Sequence, residues 1–142
     1  LDAIEVVGSD FVSAISGEAD ETRVHYLLSE TAHGWATALG EKCRTRLNGL
    51  RSRFECIADV RGLGAMTAVE FSHGGDPKKP AGDIAAALKV EAAKRGLLLL
   101  NCGSYGNVLR LMLPLTIPDA VLDEGMDILE AALAAAVETV AR

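Results

Sequence analysis

The sequence has 142 residues, a length that suits one domain with a buried core. Hydrophobic residues make up 49% of the chain and charged residues 24%, which is ordinary for a globular protein and argues against a disordered or low-complexity chain. The net charge of −6 argues against nucleic acid or an anionic membrane surface as a partner. No apolar run approaches the roughly 20 residues that span a bilayer.

The cysteines Cys43, Cys56 and Cys102 are odd in number and have no close spacing. A secreted disulfide framework is therefore not expected, and a reducing compartment, the cytoplasm, is the default location. The three histidines do not fall into ligand spacing with these cysteines, so the sequence predicts no metal site.

Two helical patterns open the chain. Residues 1–17 carry apolar side chains at mostly helical spacing, interrupted at Gly8, and predict a helix in two pieces. Residues 19–53 predict one long amphipathic helix. Its apolar stripe consists of Leu28, Ala32, Trp35, Leu39, Cys43, Leu47 and Leu50. The basic cluster on its far face, which includes Lys42, Arg44 and Arg46, indicates solvated helix surface in preference to an anion site.

Residues 60–71 alternate in polarity and predict a single strand, with Thr67, Val69 and Phe71 on one face. The pair Gly62 and Gly64 suggests a dinucleotide fingerprint. The third glycine is absent, however, and these glycines do not open a helix, so we reject that interpretation.

The turn-forming stretch 72–82 predicts a surface loop. Lys78 and Lys79 in this loop lack the glycine-rich cradle of a phosphate site, and we do not assign them one. Residues 83–95 predict a second helix that stops at Gly96.

The stretch 97–117 predicts a hairpin-like strand pair, because two apolar runs, 97–100 and 108–113, flank seven residues. Gly103, Gly106 and Asn107 in this linker tolerate the positive φ that a reversal needs. Alternation places Arg110 on the face of Val108 and Met112, opposite Leu109 and Leu111.

Arg110 is the candidate binding residue, because a guanidinium among apolar neighbours needs a carboxylate or a phosphate. The pattern leaves two interpretations open. Either Glu70 forms an internal ion pair with Arg110, if their strands are neighbours, or a ligand binds there.

The last helix is predicted to begin at Thr116, with Asp119 completing a capping-box-like start and Pro118 in the first turn. Its predicted buried stripe consists of Leu122, Met126, Leu129, Leu133, Val137 and Val140. The fold class is therefore α+β, a small sheet of about three strands packed with amphipathic helices.

Two stretches resemble a known family. CGSYGNVLRLMLPLTI, residues 102–117, is similar to the C-terminal stretch of class III (ornithine-type) pyridoxal-phosphate aminotransferases, most of all to the 4-aminobutyrate aminotransferases. ADVRGLGAMTAVEF, residues 58–71, resembles the strand that opens their small C-terminal domain. The resemblance covers residues 36–137 and implies the small-domain fold of fold-type I transferases. We therefore divide the chain into a partly unaligned helical segment, residues 1–31, and a small domain, residues 32–142.

The resemblance implies amino transfer from 4-aminobutyrate, or a similar ω-amino acid, to 2-oxoglutarate on pyridoxal 5′-phosphate. The arginine of the family's NVLRL motif binds a substrate carboxylate and corresponds to Arg110. The family's Schiff-base lysine and phosphate-binding loop belong to a large domain whose motifs this sequence lacks. The resemblance thus implies a fragment of a dimeric enzyme, itself inactive and without cofactor, that packs on that missing large domain. The alternative is a stand-alone non-catalytic domain for assembly or small-anion binding.

Overall fold

The computed structural model describes residues 21–141, with the backbone alone for residues 21–31. The two-piece helix predicted over residues 1–17 lies outside the described residues. In chain order the elements are α1 (Glu21–Arg51), β1 (Ile57–Leu63), β2 (Met66–Phe71), a 3-10 turn (His73–Gly75), α2 (Gly82–Ala93), β3 (Asn101–Cys102), β4 (Val108–Met112) and α3 (Asp119–Val140). Helix α1 runs through the boundary that we predict between residues 31 and 32, which stays a prediction.

The four strands form one antiparallel sheet in the order β1-β2-β4-β3. This arrangement confirms the α+β class. The single strand predicted over residues 60–71 is wrong, however, because Gly64 and Ala65 form a tight turn that separates β1 from β2. Gly64 has φ +54°, a conformation that glycine adopts without steric cost.

The strand predicted over residues 97–100 is also displaced toward the C-terminus, since β3 contains only Asn101 and Cys102. The start of the leucine run completes the end of α2 instead. Gly96 turns the chain at φ +85°, and the N–H of Leu97 donates to the carbonyl of Ala92 at 3.0 Å. This is the glycine-terminated helix end in which backbone bonds satisfy the last carbonyls.

The helices cover one face of the sheet, which we call the inner face. Its side chains Thr67, Val69, Phe71, Leu109 and Leu111 are all buried. Because side chains alternate along a strand, the intervening residues of β2 and β4 point to the opposite, outer face.

The helical stripes agree largely with the predicted ones. In α1 the predicted residues Leu39, Cys43, Leu47 and Leu50 are buried, and Trp35 is half-buried. In α3 the buried residues are Leu122, Met126, Leu129, Ala132, Leu133 and Ala136. None of the helices in residues 21–141 contains an apolar stretch of the length that spans a bilayer.

The predicted capping box at the start of α3 is wrong. The helix begins at Asp119, and Pro118 precedes it in an extended conformation without a side-chain cap. Backbone hydrogen bonds form the first turn instead, because the N–H groups of Val121 and Leu122 both donate to the carbonyl of Pro118 at 3.0 Å.

Candidate carboxylate-binding face

The outer face of the sheet carries three rows of side chains set by the strand register. One row joins Leu63, Met66 and Met112; the middle row joins Arg61, Ala68 and Arg110; and the third joins Asp59, Glu70 and Val108. Several apolar members are exposed, with 83% of Leu63 and 68% of Met112 accessible. The outer face therefore combines apolar surface with two guanidinium groups.

Arg110 lies in the middle of β4 and is exposed. Its backbone N–H donates to the carbonyl of Leu100 at 3.4 Å, which continues the β3–β4 register by one pair. Its guanidinium has no ion-pair or hydrogen-bond partner among the side chains that the structure describes. Its exposure corrects the premise of a dry site, since water replaces the partner that burial would require.

A buried asparagine ties the start of β4 to the end of β2. Asn107, only 3% exposed, donates its side-chain N–H to the carbonyl of Phe71 at 2.9 Å, and the N–H of Phe71 donates to the carbonyl of Asn107 at 2.9 Å. These two bonds hold β4 in register against β2. The position of Arg110, three residues later, is set by that register.

The loop before β4 behaves as its glycines predict. Gly103 and Gly106 have φ of +83° and +64°, and Asn107 does not share this conformation. A side chain at Gly82, the first residue of α2, would lie 2.6 Å from the carbonyl oxygen of Tyr105. The loop thus packs directly on the start of α2, and Tyr105 keeps its side chain exposed.

Glu70 does not pair with Arg110, so the internal ion pair that we considered is wrong. The carboxylate of Glu70 instead binds Arg61, whose Nη1 lies 2.7 Å from Glu70 Oε2 and 2.8 Å from Asp59 Oδ2. These two hydrogen bonds raise the pKa of Arg61 above its usual value. Sequence reasoning missed this triad because it treated residues 60–71 as one strand, and only the hairpin brings Asp59 opposite Glu70.

The basic face of α1 is solvent-exposed, as predicted, and two of its cations also bind acids on α3. Lys42 Nζ lies 2.5 Å from Asp119, and Arg46 binds both Asp123 and Asp127. These pairs bridge a groove of about 550 Å³ between the two helices. The groove lies on the helical side of the sheet, away from Arg110.

The described residues do not fit pyridoxal phosphate. All five lysines of the sequence are exposed: Lys42, Lys78, Lys79, Lys89 and Lys94. Lys94 binds Glu91 and Lys42 binds Asp119, so these two amines are held by carboxylates on the surface.

In residues 21–141 no group of three or more His, Cys, Asp or Glu residues is placed to hold a metal ion.

The family model of class-III aminotransferases matches residues 22–133. The match covers most of the sequence, and the chain belongs to the class-III aminotransferase family. The resemblance on which the sequence interpretation rested is thereby confirmed.

Two curated relatives show which members of this family the chain resembles. It is 46% identical over 92 residues to the 5-aminovalerate aminotransferase DavT of Pseudomonas aeruginosa. The aligned region covers 65% of this chain and 22% of that protein. The chain is also 44% identical over 94 residues to the 4-aminobutyrate aminotransferase GabT of Escherichia coli. That alignment covers 66% of this chain and 22% of that protein. The chain therefore spans about a fifth of the length of these relatives.

Solved structures agree with the fold. The N-acetylornithine aminotransferase of Stenotrophomonas maltophilia superposes with a TM-score of 0.68 at 28% identity, over 82% of this chain and 30% of that one. An amine transaminase from an uncultivated Pseudomonas species, solved in its PLP-bound form, superposes with a TM-score of 0.64 at 27% identity. This superposition covers 80% of this chain and 26% of that one. In both comparisons the chain corresponds to less than a third of the solved protein.

Proposed function

We propose that this chain is the C-terminal domain of a pyridoxal-phosphate-dependent aminotransferase that moves the amino group of 4-aminobutyrate, or a similar ω-amino acid, to 2-oxoglutarate. Arg110 binds a substrate carboxylate in this proposal. The observation that supports it most is the exposed guanidinium of Arg110. This group has no ion-pair partner among the described residues and lies on the face of the sheet that no described helix covers. The family membership supports the reaction class.

The names of the relatives support the substrate class. 4-Aminobutyrate and 5-aminovalerate each carry a carboxylate at the end opposite the amine, and 2-oxoglutarate carries two carboxylates. A guanidinium presents a planar fork of N–H donors that matches a carboxylate with two parallel hydrogen bonds. Such a pair fixes both the position and the direction of the substrate, so that its amino group or keto group is aimed at the reacting centre.

Pyridoxal phosphate supplies the electron sink on which the amino group is exchanged. Because the described lysines are exposed, we assign the cofactor and its lysine to a large domain outside this chain, and we expect this chain alone to bind no cofactor. That large domain is the first partner we propose, and a second copy of the complete subunit is the next.

The free cysteines support a reducing, cytoplasmic location.

The test is the kinetics of the complete protein carrying Arg110→Ala. We expect the binding of 2-oxoglutarate to weaken by about 1.5–3 kcal/mol, the range for a hydrogen bond to a charged group. Arg110→Lys should rescue only part of this loss, because an ammonium cannot form the planar fork. Amines without a carboxylate should be almost unaffected.

Arg95→Ala is the matched control, since Arg95 is a surface arginine bound to Glu91 on α2. It should leave the kinetics with both kinds of substrate unchanged. Equal losses for carboxylated and uncarboxylated substrates in Arg110→Ala, with a large drop in melting temperature, would show that Arg110 is structural.

The second candidate is a stand-alone domain for assembly or small-anion binding. The exposed side chains of Leu63, Leu98 and Leu100 favour it, because they suit contact with another protein. The reading frame discriminates the two candidates. Codons upstream of Leu1 that encode a large domain with the Schiff-base lysine support the enzyme, and a start codon close to Leu1 supports the stand-alone domain.

A further inference from the structure

Asp59 and Glu70 are direct partners in the β1–β2 register and share the outer face. Like charges directly opposite each other in an antiparallel pair repel and destabilise it. Here Arg61 lies between them and donates to both carboxylates, at 2.8 Å and 2.7 Å. The guanidinium therefore turns a repulsive pair into a bridged triad on the β1 side of the sheet.

Glu70 is also a neighbour of Arg110. On the same face of the next strand pair, Ala68 stands opposite Arg110 and Glu70 opposite Val108, so Glu70 and Arg110 are diagonal partners. Diagonal partners are separated by about 7–8 Å, a gap that two long side chains close easily. The methyl group of Ala68 is too small to stand between them. Glu70 thus has two arginines within reach, and among the described residues it binds Arg61 alone.

We propose that Arg61 is a positioning residue for Arg110. By holding Glu70 toward β1, it keeps that carboxylate from pairing with Arg110 and leaves the guanidinium of Arg110 open to the substrate. This inference rests on the proposed function, in which Arg110 binds the substrate carboxylate. Without Arg61, repulsion from Asp59 pushes Glu70 toward β4, where it competes with the substrate.

The experiment measures steady-state kinetics of the complete protein with Arg61→Gln, alone and in a Glu70→Gln background. We expect Arg61→Gln to raise KM for 2-oxoglutarate by about two- to fivefold, the factor that an exposed ion pair contributes. The value of kcat at saturation should hold, because saturating substrate displaces Glu70. KM for an amine without a carboxylate should stay constant, and added salt should shrink the defect by screening the pair of Glu70 with Arg110.

In the Glu70→Gln background, Arg61→Gln should no longer change KM, because the competitor is gone. Arg61→Lys should give a smaller increase, since a lysine still attracts Glu70 but with a single point charge. Arg95→Gln, which removes another surface arginine–glutamate pair, is the matched control and should leave KM unchanged.

Two results would overturn the inference. One is an unchanged KM in Arg61→Gln. The other is a KM defect that persists in the Glu70→Gln background, which would make Arg61 merely structural. If Arg61→Gln does not fold, Arg61→Lys with and without Glu70→Gln decides in the same way. If Arg110→Ala weakens only carboxylated substrates and Arg61→Gln has no effect, this inference alone is wrong. If Arg110→Ala shows no such carboxylate-specific loss, the proposed function is wrong as well.

Discussion

Single residues of the same type differ strongly in their surroundings in this fold, and the cysteines are the clearest case. Cys43 is 1% exposed and Cys56 8%, and burial raises the pKa of both thiols. Cys102 lies half-buried in β3, on the outer face beside Val108. The thiolate is the reactive form, so a raised pKa and poor access both slow alkylation.

We therefore predict that a short pulse of iodoacetamide at neutral pH modifies Cys102 first. Cys43 and Cys56 should react at least about tenfold more slowly, since burial lowers both their thiolate fraction and their access. Peptide mass spectrometry after increasing pulse lengths measures the three rates. Cys102→Ser should remove the fast phase alone, and a fast phase that maps to Cys43 would contradict the packing of α1 on the sheet.

For single residues, the sequence predicted the sheet face of a side chain better than it predicted the side chain with which it pairs. The alternation in β4 correctly placed Arg110 on the face opposite Leu109 and Leu111, because the two-residue period is local. That Arg110 is exposed was not predicted. Of the two interpretations left open for Arg110, the ion pair with Glu70 was wrong, because Glu70 binds Arg61. Which arginine it meets depends on the register between β1 and β2, and a one-residue slip or an unseen turn moves every side chain to a different neighbour.

The elements show the same division between local pattern and tertiary contact. The long helix, the second helix and the final helix were predicted to within a few residues, because each has a long apolar period. The β1–β2 hairpin was missed since alternation continues through Gly64 and Ala65 without a break in polarity. The helix ends were also missed where backbone bonds replace side-chain caps, as at Pro118.

The contact of α1 with that hairpin provides a test at the scale of elements. A methyl group on Gly40 would lie 1.7 Å from the carbonyl oxygen of Gly64, the same oxygen that accepts a hydrogen bond from Arg44 at 3.0 Å. Gly40→Ala should therefore push the helix off the turn and lower the free energy of unfolding by about 1–3 kcal/mol, the usual cost of overpacking.

Gly49→Ala is the control within the same helix, since nothing lies within 4 Å of the added methyl group. It should raise the free energy of unfolding by about 0.5–1 kcal/mol, the helix-propensity difference between alanine and glycine. Urea unfolding of both variants measures the two changes. If Gly40→Ala were as stable as Gly49→Ala, the close approach of α1 to the hairpin would be wrong.

For the whole molecule, the mixture of helical and strand periods predicted the α+β class, and the comparisons confirmed the family. The strand order β1-β2-β4-β3 was beyond the sequence, because every strand offers apolar side chains and several orders bury them equally well. Within residues 21–141 the sheet that results is one-sided. Helices cover its inner face, while Leu63, Leu98, Leu100 and Met112 remain exposed.

This one-sided sheet predicts that the chain, purified alone, self-associates. Leu98 and Leu100 are 87% and 76% exposed, and apolar surface grouped in this way favours contact with another protein surface. We expect the large domain to cover it in the proposed enzyme and a second copy to cover it in the isolated chain. Light scattering across a concentration series should therefore show dimers or larger species at high concentration.

The double variant Leu98→Glu and Leu100→Glu should shift this association toward monomer, because two carboxylates on each copy repel and resist burial. Val90→Glu is the matched control, since Val90 is 52% exposed on α2, on the helical side of the sheet, and should leave association unchanged. A strictly monomeric parent chain at high concentration would mean that the outer face needs no cover. That result would favour the stand-alone domain over the piece of a larger enzyme.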